Sequence, residues 1–306
     1  MCTVEQMEQR GVQFVPSTRA SGFECAPDGR INCVVCQTTE GRPLMPGGTP
    51  TLDSSAKPTQ EVRLDADDVV FAVGAAALNS LVRGSRSLSQ HAEWRRFANL
   101  RGLSVLATRL FLDCEVPTAH TANACWGFDE GVGMTWFDIK KLHAPALDGE
   151  AGSVIEVDYY HANSLLVMSD AEITAKAKRD LDQMLGSACQ AASVIDSAVV
   201  KLPNAVNWYF PGSYDSMPDL ASSSIRNAFF VGDLVRTRHG SWSQEKAYVT
   251  GLQAANVIAG REPDAGVVPL KPDEPHVAAG RSAVSLARTV LGGGDARGPS
   301  LVDFLW

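Results

Sequence analysis

The first third of the chain alternates short runs of β-branched and aromatic residues with turn-forming residues. Residues 11–15, 20–25 and 31–39 are three such runs, and segments that contain Pro16 and Pro27 separate them. This pattern predicts an antiparallel meander of three strands. The following residues, 41–58, are rich in Gly, Pro, Ser and Thr and show no periodicity, which is typical of a surface loop.

Two continuous apolar runs are typical of buried parallel strands, because a strand with one wet face would alternate polar and apolar residues. The first run, residues 69–73, precedes a helix predicted over residues 75–82. The second run, residues 228–231, precedes a helix that is predicted to begin within residues 241–243 and to end at residue 258. Parallel strands followed by helices indicate an α/β domain.

The middle of the chain has a different pattern, with β-prone runs over residues 103–112, 133–139 and 154–161. This succession predicts a mostly antiparallel sheet in a second, α+β domain. A capping box formed by Ser169 and Glu172 then starts an amphipathic helix, since apolar residues follow it at helical spacing.

Composition narrows the functions that these domains can serve. Of the 306 residues, 45% are apolar, and 27 Lys and Arg against 35 Asp and Glu give a net charge of −8. An acidic chain does not supply the basic surface that a phosphate backbone needs, so we expect no nucleic-acid partner. Seven scattered cysteines are not the pattern of a disulfide framework. We also expect no metal site, because Cys33 and Cys36 lie three apart on one predicted strand and point to opposite faces.

The segment that contains Gly232 and Asp233 is the most informative for chemistry. A buried strand stops at this pair, and ligands of open α/β sheets bind beyond the carboxyl ends of strands, where helix N-termini present unpaired N–H groups. A carboxylate there can accept hydrogen bonds from sugar-like hydroxyls. Packing of a helix on the sheet accounts for the same small residues equally well. Ser243 and Lys246 also match the S-x-x-K of penicillin-binding serine enzymes, but the chain lacks the K-T-G triplet, and a helix cap is the commoner role of such a serine.

Gly232-Asp233 followed by S-x-E-x-A-x-x-[ST]-G-x-x-x-A, from Ser243 to Ala255, resembles the C-terminal FAD-binding signature of flavin amine oxidases and, more closely, of phytoene and zeta-carotene desaturases. The resemblance covers roughly residues 5–260 in the family's order. It implies the fold class α/β, with a partial FAD-binding, Rossmann-like domain interrupted by an α+β substrate-binding domain. The implied boundaries are 1–82 and 225–260 for the FAD-binding part, 83–224 for the substrate-binding part and 261–306 for a C-terminal tail.

The resemblance also implies the residues that bind the cofactor FAD, which are Ala20, Gly232, Asp233, Ser243, Glu245, Lys246, Ala247 and Gly251. Asp233 would bind a ribityl hydroxyl, and residues 245–247 would face the pyrimidine edge of the flavin through backbone N–H groups. The backbone of Ala20 would lie near the adenine.

The substrate implied by the resemblance is a small, largely apolar molecule. The sheet of residues 103–161 would line its cavity together with Trp208, Tyr209 and Trp242, which are also the candidates for the aromatic cage that an amine would need. No residue stands out as a catalytic acid, base or nucleophile, since the flavin itself accepts the hydride in such enzymes.

The chain departs from the family pattern at three places. Lys246 stands where the family usually has glycine, Gly74 replaces a common proline, and the opening G-x-G-x-x-G is not found, so the chain resembles the C-terminal portion of a longer flavoprotein. Three functional hypotheses follow. They are FAD-dependent desaturation or isomerisation of a polyene, oxidation of an amine by the same cofactor, and a non-catalytic binding module that no longer holds FAD.

The compartment follows only from the resemblance. A carotenoid desaturase of a photosynthetic organism would be plastidic, and otherwise we expect a cytoplasmic protein. One further helix is predicted over residues 281–291. Its larger apolar side chains make it a candidate for peripheral contact with a membrane surface, and packing on the core or fraying is the commoner outcome for such a helix.

Overall fold

The structure is a computed structural model that describes residues 4–39, 58–239 and 244–291. In chain order its strands are β1 (Thr18–Cys25), β2 (Ile31–Thr39), β3 (Pro58–Asp65), β4 (Val69–Phe71), β5 (Gly102–Leu112), β6 (Ala122–Asp129), β7 (Val132–Asp138), β8 (Val154–Tyr160), β9 (Val194–Asn207) and β10 (Ala228–Phe230). The helices are α1 (Val4–Glu8), α2 (Ala75–Gly84), α3 (Arg86–Ser89), α4 (Ala92–Phe97), α5 (Ile139–Leu142), α6 (Ala144–Leu147), α7 (Asp170–Leu185), α8 (Ser187–Ala191), α9 (Gln244–Ile258) and α10 (Pro275–Leu291).

The chain divides into two compact units. Unit 1 comprises Met1–Leu100 and Trp208–Trp306, and unit 2 comprises Arg101–Asn207. Residues 83–100 and 208–224, which the sequence assigned to a substrate-binding domain, therefore belong to the same unit as the β4–β10 pair. This mixed α/β architecture agrees with the fold class expected from the sequence.

The first sheet of unit 1 is an antiparallel meander of β1, β2 and β3, but its strands are not the three that were predicted. Residues 11–15 form no strand, and Val12, Phe14 and Val15 are 44–48% exposed, because no core covers this β-prone run. The third strand is instead β3. Most of the loop predicted over residues 41–58 lies outside the described residues, and Pro58 already begins β3.

The second sheet of unit 1 confirms the two predicted parallel strands. β4 and β10 pair in parallel, with Val69, Val70 and Phe71 opposite Ala228, Phe229 and Phe230, and α2 follows β4 as predicted. The buried side chain of Asn227 ties this sheet to the meander. Its Oδ1 accepts from the Ile31 N–H at 2.9 Å, and its Nδ2 donates to the carbonyl oxygens of Ile31 at 2.7 Å and Asp67 at 2.8 Å.

The core of unit 1 is built on aromatic rings from both of its chain segments. Phe71 of β4, Trp94 and Phe97 of α4 and Phe230 of β10 pack with ring centroids 5.1–5.5 Å apart. Glu93, next to Trp94, accepts hydrogen bonds from the backbone and side chains of residues 222–224, which fixes α4 to the segment that leads into β10.

Unit 2 is an antiparallel five-stranded sheet in the order β6-β7-β8-β5-β9, with α7 packed on one face. The predicted strands correspond to β5, β7 and β8, and the capping box of Ser169 and Glu172 is present at the start of α7. Apolar side chains of α7, Ile173, Ala177 and Leu181, meet those of β5 and β8 in one buried cluster.

The final described helix, α10, begins at Pro275, earlier than the 281 predicted. Among the helices that the structure describes, none combines the length and the apolar character that crossing a bilayer requires.

Candidate functional site

The candidate site of unit 1 lies where β10 ends. The Val231 N–H donates to the Phe71 carbonyl oxygen at 3.1 Å, so the pairing with β4 continues one residue beyond β10. The chain then turns at Gly232, whose φ of +116° lies in the region that favours glycine. A Cβ at Gly232 would meet no heavy atom within 4 Å, so open space lies directly beside this backbone.

Thr250 of α9 holds the turn at Gly232 in place. Its fully buried hydroxyl accepts from the Gly232 N–H at 2.9 Å and donates within the helix to the Lys246 carbonyl oxygen at 2.9 Å. The threonine thus joins the end of β10 to α9 one turn after Lys246. It was not singled out as a site residue from the sequence, although it occupies the [ST] position of the signature.

Replacing Thr250 with valine is expected to destabilise the protein by about 1–3 kcal/mol, because the isosteric side chain leaves the Gly232 N–H without its partner. Urea unfolding followed by circular dichroism measures this change. Thr174→Val is the matched control, since the Thr174 hydroxyl lies on α7 and shares a part-buried hydrogen bond with the Ser197 hydroxyl at 3.0 Å. Equal stability of Thr250→Val and wild type would show that this hydroxyl does not hold the turn.

The first described turn of α9 contains three of the residues that the resemblance assigned to FAD. Glu245 is exposed, Ala247 is half-buried, and Lys246 is only 6% exposed. Lys246 lies four residues before Thr250 and therefore on the helix face that meets Gly232. Burial lowers the pKa of the Lys246 ammonium, and the negative charge of Asp233 acts in the opposite direction. A buried lysine therefore lies close enough to Asp233 for their charges to interact.

One aromatic residue at the start of the second segment of unit 1 contacts this turn. The Tyr209 hydroxyl donates to the backbone carbonyl oxygen of Asp233 at 3.0 Å, which brings a predicted substrate residue to a predicted cofactor residue. Trp208 packs edge-on against Phe210, with centroids 5.4 Å apart. Both Trp208 and Tyr209 keep more than a third of their surface exposed.

The other predicted site residues fall into two groups. Ala20 lies on β1, at a β-bulge, and packs on the core of unit 1 in the meander rather than in the sheet that contains β10. Trp242 and Ser243 lie outside the described residues. Gly251 is half-buried on α9, and a Cβ there would again meet open space.

The residues at the end of β10 fit the ribityl part of FAD. A ligand that lies against backbone needs room beside it, and Gly232 and Gly251 both provide such room. A chain of hydroxyls needs an acceptor, and the Asp233 carboxylate is one. In the described part of the chain, no three His, Cys, Asp or Glu side chains are grouped as metal ligands.

Comparison with known proteins identifies the family. A model of the flavin-containing amine oxidoreductases matches residues 31–259, about three quarters of the chain. The chain belongs to this family. As a flavin-containing amine oxidoreductase by descent, it has FAD as its expected cofactor, in agreement with the resemblance seen in the sequence. No curated protein matches the chain.

The fold of this flavin amine oxidoreductase chain is similar to those of solved structures. One of them is described as a protoporphyrinogen oxidase from an Exiguobacterium species, and its sequence is 13% identical to this chain. The alignment covers 79% of this chain and 46% of that protein, with a TM-score of 0.51. At this identity the likeness concerns the fold alone.

Two further structures are similar. An oxidoreductase from Methanosarcina mazei is 14% identical, with 75% of our chain on 47% of it and a TM-score of 0.46. Cyclohexylamine oxidase from Brevibacterium oxydans is 13% identical, with 67% of our chain on 45% of it and a TM-score of 0.47. The chain thus spans about half the length of the solved structures that it matches.

Proposed function

We propose that this chain forms part of an FAD-dependent oxidoreductase that takes a hydride from a largely apolar substrate, as in the desaturation of a polyene. The observation that supports the proposal most directly is the junction of β10 and α9. There Thr250 fixes Gly232 in a conformation that leaves open space, and the acidic Asp233 follows. When bound, FAD supplies the hydride acceptor, and the protein supplies orientation and a dry environment.

The chain's own residues have distinct tasks in this proposal. Asp233 accepts a hydrogen bond from a ribityl hydroxyl, and Tyr209 keeps the Asp233 backbone in place through its bond to the carbonyl oxygen. Lys246 is buried, and the negative charge of Asp233 favours the charged form of its ammonium group. None of these groups needs to move a proton.

Replacing Asp233 with alanine is expected to lower FAD affinity about tenfold to a hundredfold, the loss of one hydrogen bond to a charged group. Flavin fluorescence quenching during titration of the chain with FAD measures the affinity, and an absorbance spectrum from 300 to 550 nm shows whether flavin is retained. Asp65→Ala, at an exposed carboxylate at the end of β3, should leave the affinity unchanged.

If the wild-type chain retains no flavin at all, the proposal fails and the hypothesis of a non-catalytic binding module takes its place. If flavin is retained but Asp233→Ala binds it as well as wild type does, the cofactor does not contact Asp233.

Amine oxidation is the second candidate, because the matching family is that of the flavin-containing amine oxidoreductases and because Tyr209, bonded to the Asp233 carbonyl oxygen, keeps exposed aromatic surface. Anaerobic mixing of the flavin-loaded chain with a polyene or with a primary amine separates the two candidates. The class of compound that bleaches the flavin absorbance near 450 nm identifies the substrate.

A further inference from the structure

One segment of unit 1 is basic although the chain as a whole is acidic. Residues 75–100, which contain α2, α3 and α4, have four arginines against a single acidic residue, Glu93, and their local charge is +3 in a chain of net charge −8. The four arginines, which we call the basic patch, are Arg83, Arg86, Arg95 and Arg96. All four are exposed, and within the described part of the chain none of them forms an ion pair with a carboxylate.

Three of the four arginines lie at the carboxyl end of α4. Arg95 and Arg96 are in its last turn. The Arg83 guanidinium, from the last turn of α2, donates to the carbonyl oxygen of Ala98, the residue that caps α4, at 3.2 Å. Capping of this kind uses only one of the five N–H donors of a guanidinium, so it does not account for the accumulated charge.

The fourth arginine, Arg86, joins the patch through α3. The Arg95 Nη1 donates to the carbonyl oxygens of Ser89 at 3.1 Å and Gln90 at 2.7 Å, at the end of α3. This helix begins at Arg86 and has four residues, so it is about 6 Å long. Arg86 therefore lies one helical turn from the backbone that Arg95 contacts, and the four arginines form one continuous surface.

The acidic residue of the segment does not neutralise the patch, because its carboxylate is engaged elsewhere. Glu93 accepts hydrogen bonds from the Ser222 and Ser224 hydroxyls, both at 2.7 Å, and from the Ser223 N–H at 3.1 Å. Its oxygens therefore bind the segment that leads into β10. The positive charge of the basic patch is left for a partner outside the described chain.

The chemistry of the basic patch favours one kind of partner. Residues 75–100 contain no lysine, and the planar guanidinium forms paired hydrogen bonds with carboxylates, whereas a diffuse anionic surface attracts lysine equally well. No large apolar side chain is exposed across these residues, all of which the structure describes. A folded partner would need apolar contacts at the centre of its interface, and a helix on a membrane surface would insert apolar side chains. An extended acidic segment needs only the charges.

We propose that the basic patch docks a flexible, Asp- and Glu-rich segment of a partner protein, whose carboxylates pair with the four arginines. The inference gives unit 1 an interaction surface on α2, α3 and α4, in addition to the candidate site at the junction of β10 and α9. It does not rest on the proposed function, because none of the four arginines is assigned to the cofactor or the substrate.

Fluorescence anisotropy of a labelled deca-glutamate peptide, titrated with the flavin-free full chain in about 20 mM NaCl, tests the inference. We expect saturable binding with a Kd below about 1 mM, weakened at least about tenfold in about 200 mM NaCl, because salt screens exposed charges. The double variant Arg86→Gln with Arg96→Gln should weaken binding about fivefold to tenfold, since it removes two of the four charges. It keeps Arg83 and Arg95, whose hydrogen bonds cap α4 and α3.

Arg10→Gln with Arg261→Gln is the matched control, because it makes the same change of charge at two exposed arginines outside the patch and should leave the affinity within about twofold of wild type. Thermal unfolding of both double variants checks that each is folded.

Three results would overturn the inference. The first is that the wild-type chain does not bind the peptide. The second is that the patch variant binds it no more weakly than the control variant does. The third is that vesicles of phosphatidylglycerol or a ten-residue thymidine oligonucleotide bind to the patch more tightly than the peptide, since the patch would then serve a membrane or a nucleic acid. Because no flavin is present, these outcomes are independent of FAD retention.

Discussion

Replacing Trp94 with alanine is expected to lower the free energy of unfolding by about 3–5 kcal/mol, the largest effect of any substitution considered in unit 1. The indole is completely buried, and its ring centroid lies 5.1 Å from those of both Phe71 and Phe230. Its Nε1 also donates to the Ser222 hydroxyl at 3.1 Å. The alanine variant would leave a large cavity among rings from both segments of unit 1, and rigid β-strands limit how far that cavity can collapse.

Urea denaturation followed by far-ultraviolet circular dichroism gives the change in free energy. Trp208→Ala removes the same side chain from a position where more than a third of it is exposed, and it should cost less than about 1 kcal/mol. A loss of similar size in both variants would show that the aromatic cluster does not provide the main stability of unit 1.

Replacing Lys176 with methionine is expected to cost about 3 kcal/mol in unit 2, because it leaves two carboxylates without their shared cation. The Lys176 Nζ lies 2.6 Å from Asp129 Oδ2 and 2.8 Å from Asp180 Oδ2. The buried Tyr159 hydroxyl donates to the same oxygen of Asp180 at 2.7 Å. The lysine side chain is only 12% exposed, so water replaces little of the lost interaction.

The pH dependence of this effect has a definite sign. Burial is the largest single influence and lowers the pKa of Lys176, but the hydrogen bonds to Asp129 and Asp180 and the charges of these carboxylates together outweigh it, so the net result is a raised pKa. A group whose pKa is raised on folding stabilises the protein at all pH values below its unfolded pKa, and that stability disappears as the pH rises through the folded pKa. The difference between wild type and Lys176→Met should therefore persist through mildly alkaline pH.

Lys140→Met is the comparison for Lys176→Met. The Lys140 Nζ pairs with Glu115, which is 74% exposed, so its removal should cost about 1 kcal/mol or less. Chemical unfolding monitored by near-ultraviolet circular dichroism measures the free energy of unfolding of both variants. If Lys176→Met is no less stable than Lys140→Met, the buried network contributes nothing beyond a surface ion pair.

The parallel strands and the helix after β4 could be predicted from the sequence because their signal is local. A buried strand must be apolar on both faces, and β4 and β10 are continuous apolar runs. The elements that were predicted wrongly or missed lack such a local signal. Residues 11–15 have strand composition but no sheet to join. β9 lies at a sheet edge, where polar residues and Pro203 obscure the period of two.

Some features of the candidate site could likewise be predicted from the sequence, and others could not. Gly232, Asp233 and Lys246 could be found because their motif is contiguous or nearly so along the chain. The bond from Tyr209 to the Asp233 carbonyl joins residues 24 positions apart, and no pattern in the sequence specifies it. The basic patch did have a local signal, since its four arginines all lie within residues 83–96. That Glu93 would bind residues 222–224 rather than these arginines depends on contacts that are distant along the chain.

The insertion of unit 2 into unit 1 has a consequence for how the chain folds. The β4–β10 pair must wait until the whole of unit 2 has been synthesised, and closing so long a loop costs chain entropy. Gly102 and Asn207, at the two ends of unit 2, are nevertheless partners across β5 and β9. Once unit 2 has folded, the two segments of unit 1 emerge from neighbouring points and behave as if a short linker joined them. Pairing of β5 with β9 therefore lowers the chain-entropy cost of bringing β4 and β10 together.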